Sequence, residues 1–201
     1  MPPGQPPHHK HAGPAGLALR PATQADATSL GRIAYETAFF GDSAEVFFPS
    51  RKLFQELWTD PYLGAAGCCC FVAELDGDAV GYIVGTCDLA AYRRHMAAVT
   101  PGLLWRMLTG AYPDSRRSAR YLWRMLRLSG KPAPVAHYPA QLHMNLLPGA
   151  RGEGAGNLLL ETHLNCLQQR GVPGVQLSTT DLNDAALHLY GKFGFAVHEE
   201  H

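Results

Sequence analysis

A glycine-rich segment between a predicted strand and a predicted helix constrains the fold of this chain more than any other feature. Four glycines fall within residues 149–156, after a strand predicted for residues 138–147 and before a helix predicted for residues 156–170. Glycines let consecutive backbone N–H groups converge on one point, and a helix N-terminus adds a partial positive charge there. Such a turn is typical of a site for a phosphate or a pyrophosphate.

Two common nucleotide-binding loops fit this segment poorly. A Walker loop requires lysine followed by serine or threonine after its last glycine, and neither pair follows Gly156. A dinucleotide-binding loop that began at Gly152 would place Asn157 at its third glycine, and no second βαβ half follows.

The remaining sequence predicts a mixed α/β domain. Hydrophobic periods and turn residues give strands and helices that alternate along the chain, with a hairpin signal at Asp76-Gly77-Asp78 and a helix stop before Asp60-Pro61. Strands are expected at about residues 17–20, 68–75, 79–87, 138–147, 175–178 and 195–197, and helices at about 24–39, 50–58, 102–109, 115–128, 156–170 and 183–193.

A second motif lies downstream of the glycine-rich segment. Asn183, Ala186, Tyr190 and Gly194-Phe195 follow the pattern N-x-x-A-x-x-x-Y-x-x-x-G-F. Together with Arg151-x-x-Gly154-x-Gly156, this pattern resembles the two linked signatures of the GNAT (Gcn5-related) N-acetyltransferase family. The resemblance covers residues 17–201. It implies an α/β fold with a central, mostly antiparallel, splayed sheet flanked by helices, and a helical insertion between strands 3 and 4.

Three further segments give a narrower likeness. Residues 81–88, the helical insertion at about residues 90–137 and residues 138–148 are similar to bacterial GNAT proteins. Those proteins are related to the acetyltransferase-like C-terminal domain of protein O-GlcNAcases.

The resemblance implies acetyl-CoA as cosubstrate and direct transfer of its acetyl group to an amine of a small molecule, an aminosugar or a protein. The pantetheine arm would lie along the end of the fourth strand, and the pyrophosphate would bind the glycine-rich turn. The cofactor-binding residues implied are Leu146, Leu147, Arg151, Gly152, Glu153, Gly154, Ala155, Gly156, Asn157, Asn183 and Tyr190.

The resemblance also suggests catalytic residues. Tyr190 occupies the family position for a hydrogen-bond donor to the departing thiolate, although a core tyrosine is the alternative. Relatives can carry Asp where this chain has Asn145, and an amide does not accept a proton at neutral pH. Asp88 and His143 are substitute bases, and a water relay is a further alternative. A fold that binds without turnover, an inactive acetyltransferase-like module, therefore stays open as a second function.

The predicted insertion is rich in arginine. This basic stretch is either a solvated helix face or a cationic wall beside an anionic ligand. The formal net charge of the whole chain is zero, and aromatic residues are not regularly interleaved with the arginines, so nucleic-acid binding is not expected. The basic residues are Arg93, Arg94, Arg106, Arg116, Arg117, Arg120, Arg124, Arg127 and Lys131.

The ends of the chain and its cysteines complete the prediction. Residues 1–16, rich in proline, glycine and histidine, are expected to be a disordered tail before a single domain at residues 17–201. Only six residues follow Phe195, so we expect an exposed sheet edge that is either covered by a second copy in a homodimer or left by truncation of the last strand.

No run of 18 apolar residues and no signal peptide are found, which predicts a cytoplasmic protein without a membrane segment. The five cysteines are then expected to be reduced, buried and without a metal. Consecutive cysteines such as Cys68 and Cys69 would point to opposite faces of a strand.

Overall fold

The computed structural model describes residues 16–39, 42–64, 67–128 and 133–200, so the predicted tail lies outside the described residues except for Gly16. The described residues form one five-stranded sheet with helices on both faces. The strands are β1 Leu17–Pro21, β2 Phe71–Leu75, β3 Asp78–Thr86, β4 Ala140–Leu146 and β5 Val175–Gln176. The helices are α1 Ala27–Thr37, α2 Arg51–Trp58, α3 Asp60–Leu63, α4 Leu89–Leu108, α5 Ser115–Leu128, α6 Ala155–Gln169 and α7 Asp184–Lys192.

The strands lie in the sheet in chain order, and the sheet is mostly antiparallel as predicted. β1 to β4 pair antiparallel, whereas β5 pairs parallel with β4. That last pairing is limited to Ala140 with Val175 and Gln141 with Gln176, so β4 and β5 separate beyond Gln141. The gap between them, which we call the splay, lies next to the second half of β4.

The two faces of the sheet bury different sets of helices. Tyr82 and Val84 pack with residues of α1 and α2, and we call this the α1 face. Ile83 and Leu142 pack with residues of α6 and α7 on the other side, which we call the α6 face. The alternation follows from the two-residue period of side chains along a strand.

Short polar side chains mark the beginnings of three helices. Ser50 accepts a hydrogen bond from the N–H of Leu53 at the start of α2, and Asn183 accepts one from Ala186 at the start of α7. Asp88 accepts hydrogen bonds from the N–H groups of Ala90 and Ala91 at the start of α4. These oxygens satisfy N–H groups that have no partner within the helix.

The helix predicted to begin at residue 102 is longer than expected. α4 begins at Leu89 and passes through Pro101, because the Asp88 cap starts the helix well before the proline. A proline leaves the carbonyl four residues earlier without its helical donor. That residue is Ala97, which is exposed, so water can serve as the partner. No described helix is long and apolar enough to cross a membrane.

The predicted final strand at residues 195–197 is wrong, since residues 195–200 form no strand. The N–H of Phe195 donates to the carbonyl of Tyr190 at 3.2 Å, and the two rings pack with centroids 5.4 Å apart. These contacts fold the chain back onto α7 instead of onto the sheet. The homodimer, inferred from that strand, stays a prediction.

Candidate functional site

Among the described residues, the second half of β4 has no partner strand on the side of the splay. The N–H of Leu147 donates to the carbonyl of Val80 at 2.9 Å, which sets the phase of the ladder between β3 and β4. Because backbone groups alternate in direction along an antiparallel ladder, those of Asn145 face β3, and those of Met144 and Leu146 face the splay. The predicted cofactor residue Leu146 therefore lies at this edge, together with Met144, which the sequence did not single out.

The glycine-rich turn follows this edge directly. Gly152 and Gly154 have φ of 82° and 90°, in the left-handed region that favours glycine. α6 begins at Ala155 without a side-chain cap, so its first N–H groups point outward without a capping oxygen from Gly154. The Nε of Arg151 donates to the carbonyl of Leu146 at 3.0 Å and joins the turn to the strand.

Two predicted residues in the first turn of α6 have distinct roles. A Cβ at Gly156 would lie 3.3 Å from side-chain carbons of Leu146 and Leu189, so its glycine permits close packing of helix and strand. The side-chain oxygen of Asn157 is buried and has no hydrogen-bond partner among the described residues. A buried acceptor without a donor costs about 1–3 kcal/mol, which a ligand N–H or a water would recover. Glu153 is exposed in the turn.

Tyr190 lies on the α6 face, on α7. Its side chain is 9 % exposed, and burial raises its pKa to about 12. The hydroxyl therefore keeps its proton at neutral pH and can donate it in a hydrogen bond. No hydrogen bond joins this hydroxyl to another described residue. Asn183, at the start of the same helix, uses its side-chain oxygen for the cap.

Asn145 lies on the α1 face and is held by hydrogen bonds on both sides of its amide. The hydroxyl of Tyr82 donates to its Oδ1 at 2.9 Å, and its Nδ2 donates to Oγ1 of Thr37 at 2.8 Å. Thr37 in turn donates to the carbonyl of Ile33 at 2.7 Å. The amide thus links β3, β4 and α1, and its oxygen is already occupied.

Asp88 is remote from these groups. Its Oδ1 accepts from the N–H groups of Ala90 and Ala91 at 2.8 and 3.0 Å, and the side chain is exposed. Asn145 pairs with Tyr82, six residues before Asp88. At about 3.3 Å per residue, Asp88 lies about 20 Å away along the sheet. The structure does not bring it together with Tyr190.

His143 lines an open cavity on the α1 face. Its ring meets that of Tyr62 edge to face, with centroids 5.5 Å apart. Burial lowers the pKa of His143 to about 4, so the imidazole is neutral at pH 7. The cavity has a volume of about 230 Å³ and is lined by Leu57, Trp58, Tyr62, Tyr92, Leu122 and His143.

The splayed strand, the glycine-rich turn and the buried tyrosine all lie within a segment that matches a known protein family. Residues 34–195 match the sequence profile of the Acetyltransferase (GNAT) family. The chain belongs to the GNAT family. The finer likeness to O-GlcNAcase-related proteins stays a prediction.

Solved structures agree with the GNAT assignment. The crystal structure of SsHAT superposes with a TM-score of 0.70 at 30 % identity, covering 90 % of this chain and 91 % of that one. The ribosomal-protein-S18-alanine N-acetyltransferase of Escherichia coli superposes with a TM-score of 0.54 at 15 % identity, covering 91 % and 79 %. At that identity the second likeness concerns the fold alone.

The chain matches only part of the length of each curated relative. The mycothiol acetyltransferase of Nocardia farcinica is 34 % identical over 106 residues, which are 53 % of this chain and 33 % of the relative. The mycothiol acetyltransferase of Tsukamurella paurometabola is 43 % identical over 54 residues, 27 % of this chain and 18 % of the relative. The chain therefore spans a third or less of the curated relatives' length.

The aromatic wall of the cavity was missed by the sequence reasoning. Trp58 ends α2 and Tyr62 lies in α3, while Tyr92 comes from α4 and stacks on Tyr62 with centroids 4.8 Å apart. These residues meet only through tertiary packing. The available signal was the spacing of Trp58 and Tyr62, four residues apart in a segment that was interpreted as a helix end.

Two arginines of the insertion bond to residues outside it, and a third packs within it. Arg106 pairs with Glu56 of α2 at 3.0 Å, and Arg117 donates to the carbonyl of Val46. Arg127 lies over the ring of Trp123 at 4.7 Å from its centroid. Since Leu122 of α5 lines the cavity, the insertion forms one wall of it. Both interpretations of the arginines, solvated face and cationic wall, stay open.

The prediction that the cysteines are all reduced is wrong. The structure pairs Cys68 with Cys87 and Cys69 with Cys166 as disulfides, and Cys70 is free. The two consecutive cysteines precede β2 rather than lie within it, and Cys69 has φ of 54°. The alternation of a strand therefore does not apply to them.

Proposed function

We propose that this GNAT protein is an acetyl-CoA-dependent N-acetyltransferase that moves the acetyl group directly to an amine. One observation carries the proposal: the unpaired edge of β4 runs into an uncapped glycine-rich helix start. Tyr190 lies on one face of the sheet beside this edge, and the cavity of His143 lies on the other.

The proposed cofactor would use backbone groups almost throughout. The outward N–H groups at the start of α6 suit a pyrophosphate, because the helix dipole adds to their positive charge. The backbone groups of Met144 and the N–H of Leu146 suit the amides of a pantetheine arm, much as a further strand would pair there, whereas the carbonyl of Leu146 already accepts from Arg151. The unpartnered oxygen of Asn157 suits an N–H donor of the ligand. Leu147 is less suited, because its N–H already bonds to Val80.

The chemistry then depends on positioning and on two protons. Holding thioester and amine together makes the attack effectively unimolecular. The amine nitrogen attacks the carbonyl carbon, the carbon–sulfur bond breaks, and the hydroxyl of Tyr190 donates a hydrogen bond to the departing thiolate. Attack turns the amine into a much stronger acid, so neutral His143 can accept the released proton directly or through water. Asn145 and Asp88 are less suited as bases, since one is fully hydrogen-bonded and the other is distant.

The cavity indicates the class of acceptor. Its walls are aromatic and aliphatic, and none of its six lining residues is charged at neutral pH, because burial lowers the pKa of His143 and raises the pKa of Tyr62 and Tyr92. An amine with an aromatic or apolar body would fill it, and aromatic faces attract its ammonium form before deprotonation. Aminosugars fit this wall less well.

A catalytically inactive binding module is the second candidate, favoured by the fully bonded Asn145 at the position where relatives can carry a carboxylate. Calorimetry with acetyl-CoA, followed by a thiol-release assay over arylalkylamines, aminosugars and peptide N-termini, separates the two. The proposal expects binding and fastest release with arylalkylamines. Binding without release over the whole panel would establish the module, and absence of binding would refute both.

A further inference from the structure

Four sulfur atoms from three separate segments meet at the base of the splay. Cys68 and Cys69 precede β2, Cys87 follows β3, and Cys166 belongs to α6. The Sγ atoms of the first three lie within 4.8 Å of one another, and Cys166 is bonded to Cys69. Such a cluster has no role in the proposed acetyl transfer.

The backbone explains why neighbouring cysteines point to one side. The N–H of Cys68 donates to the carbonyl of Gly85 at 2.8 Å, which holds the segment against the end of β3. The positive φ of Cys69 then turns the chain, and the two sulfur atoms lie 3.8 Å apart. Two thiolates on one tetrahedral Zn²⁺, each at about 2.3 Å, are also about 3.8 Å apart.

We propose that Cys68, Cys69, Cys87 and Cys166 form a redox-linked zinc site. In the reduced protein the four thiolates bind one Zn²⁺, which offsets their mutual repulsion. In the oxidised protein they form the two disulfides that the structure shows. Four cysteine ligands are typical of a structural, closed zinc site rather than a catalytic one.

Interconversion requires an oxidant, for which a peroxide suffices. Each pair of thiolates loses two electrons to one peroxide molecule, whose O–O bond breaks to give two hydroxide ions. Two peroxide molecules thus convert the zinc-bound thiolates into two disulfides and four hydroxides, and the Zn²⁺ is released. A dithiol reductant reverses the oxidation and restores the site.

The location gives the site a structural effect in both states. Cys69 packs with Ala140 of β4, Leu167 of α6 and Val175 of β5, at the short stretch where β4 and β5 still pair. The two disulfides, or one shared Zn²⁺, join cysteines that are 19 and 97 residues apart in sequence. They hold the segment before β2, the end of β3 and the second half of α6 together. The cluster therefore holds the base from which the splay opens.

Cys70 supplies a matched control. It is adjacent in sequence, but its Sγ contacts the carbonyls of Tyr62 and Gly85 at 3.4 and 3.6 Å, and burial raises the pKa of its thiol. The Cys70→Ser variant keeps the four cluster cysteines and all histidines of the N-terminal residues. Cys166→Ser keeps the same histidines and loses one cluster thiol, so a difference in zinc affinity between the two variants separates the cluster from metal binding elsewhere in the chain.

The test measures zinc and thiols in the full chain, purified under reducing conditions. We expect one zinc per chain in the wild type and in Cys70→Ser, and at least 100-fold weaker zinc affinity in Cys166→Ser. Peroxide should release the zinc as the disulfides Cys68–Cys87 and Cys69–Cys166 appear in peptide mass spectra. Titration of the reduced wild type with Co²⁺ should give the intense visible bands of tetrahedral thiolate coordination, a result independent of whether Cys166→Ser folds.

Other outcomes refute the site. A reduced wild type that binds neither zinc nor Co²⁺ through thiolates would leave only two disulfides. Equal zinc affinity in Cys166→Ser and wild type would place the metal elsewhere, as would loss of zinc in Cys70→Ser. Because none of these readouts uses acetyl-CoA, the result is independent of the proposed acetyltransferase activity.

Discussion

His143 and Tyr190 lie on opposite faces of the same sheet, beside the strand whose far edge opens into the splay. His143 packs against Tyr62 on the α1 face, whereas Tyr190 packs in the cluster of Met144 and Leu142 on the α6 face. A thioester bound in the splay would therefore have a hydrogen-bond donor on one side and an open cavity on the other. This arrangement separates the departing thiolate from the incoming amine.

Replacing Tyr190 with phenylalanine tests the donor. The ring and its packing on Phe195 are retained, and the lost hydroxyl has no hydrogen-bond partner among the described residues. We expect an unchanged fold, nearly unchanged acetyl-CoA affinity, and turnover lower by about 10²- to 10³-fold. Circular dichroism, calorimetry and thiol release measure the three quantities. Equal turnover in variant and wild type would make Tyr190 a core residue only.

The lowered pKa of His143 predicts how stability depends on pH. Burial lowers it to about 4, below the ordinary value of 6.5, so the unfolded chain binds more protons between these values. The free energy of unfolding therefore decreases as pH falls from about 6.5 to about 4, because His143 takes up its proton in the unfolded chain first. At pH 5 the loss attributable to His143 is up to about 2 kcal/mol.

The His143→Gln variant isolates this contribution. Urea unfolding at pH 7 and pH 5 should show a smaller loss of stability in the variant than in the wild type. His163, whose pKa burial also lowers, is present in both proteins and cancels in the comparison. The same variant should reduce kcat/KM with an arylalkylamine at pH 7. Identical pH dependence of stability in the two proteins would contradict the burial of the imidazole.

Much of the fold follows from local sequence patterns. The hairpin at Asp76-Gly77 forms because both residues adopt positive φ there, and the caps Ser50 and Asn183 start helices near the predicted positions. The final strand was mispredicted because the contact of Phe195 with Tyr190 is tertiary. The helix predicted for residues 102–109 is shorter than α4, because the Asp88 cap starts the helix ahead of Pro101.

The site was predictable in part. The glycine-rich turn and Tyr190 are local motifs, so spacing sufficed to find them. The phase of the β3–β4 ladder is not a local property, and it places Met144 rather than Leu147 at the free edge. Residues of α2, α3, α4, α5 and β4 line the cavity. The cysteine pairing depends on one positive φ at Cys69. Neither is written in a short motif.

Asn145→Asp tests whether a carboxylate would restore a base at this position. The aspartate keeps an acceptor for Tyr82 but loses the donor to Thr37, whose own proton already goes to Ile33. We expect the free energy of unfolding to fall by about 1–3 kcal/mol, because two acceptors then face each other in a half-buried site. Turnover should not rise. A faster enzyme of unchanged stability would show that the amide network is dispensable and that the position is catalytic.

Gly154→Ala tests the glycine-rich turn. Gly154 has φ of 90°, where a side chain costs roughly 1–2 kcal/mol, and it is the residue immediately before α6. Gly149→Ala is the matched control, because an added Cβ there meets nothing within 4 Å and its φ is not positive. We expect acetyl-CoA affinity to fall at least tenfold in Gly154→Ala, and to stay unchanged in Gly149→Ala. Calorimetry measures the affinity, and thermal unfolding confirms that both variants are folded at the assay temperature. Wild-type affinity in a folded Gly154→Ala protein would remove the turn from the proposed cofactor site.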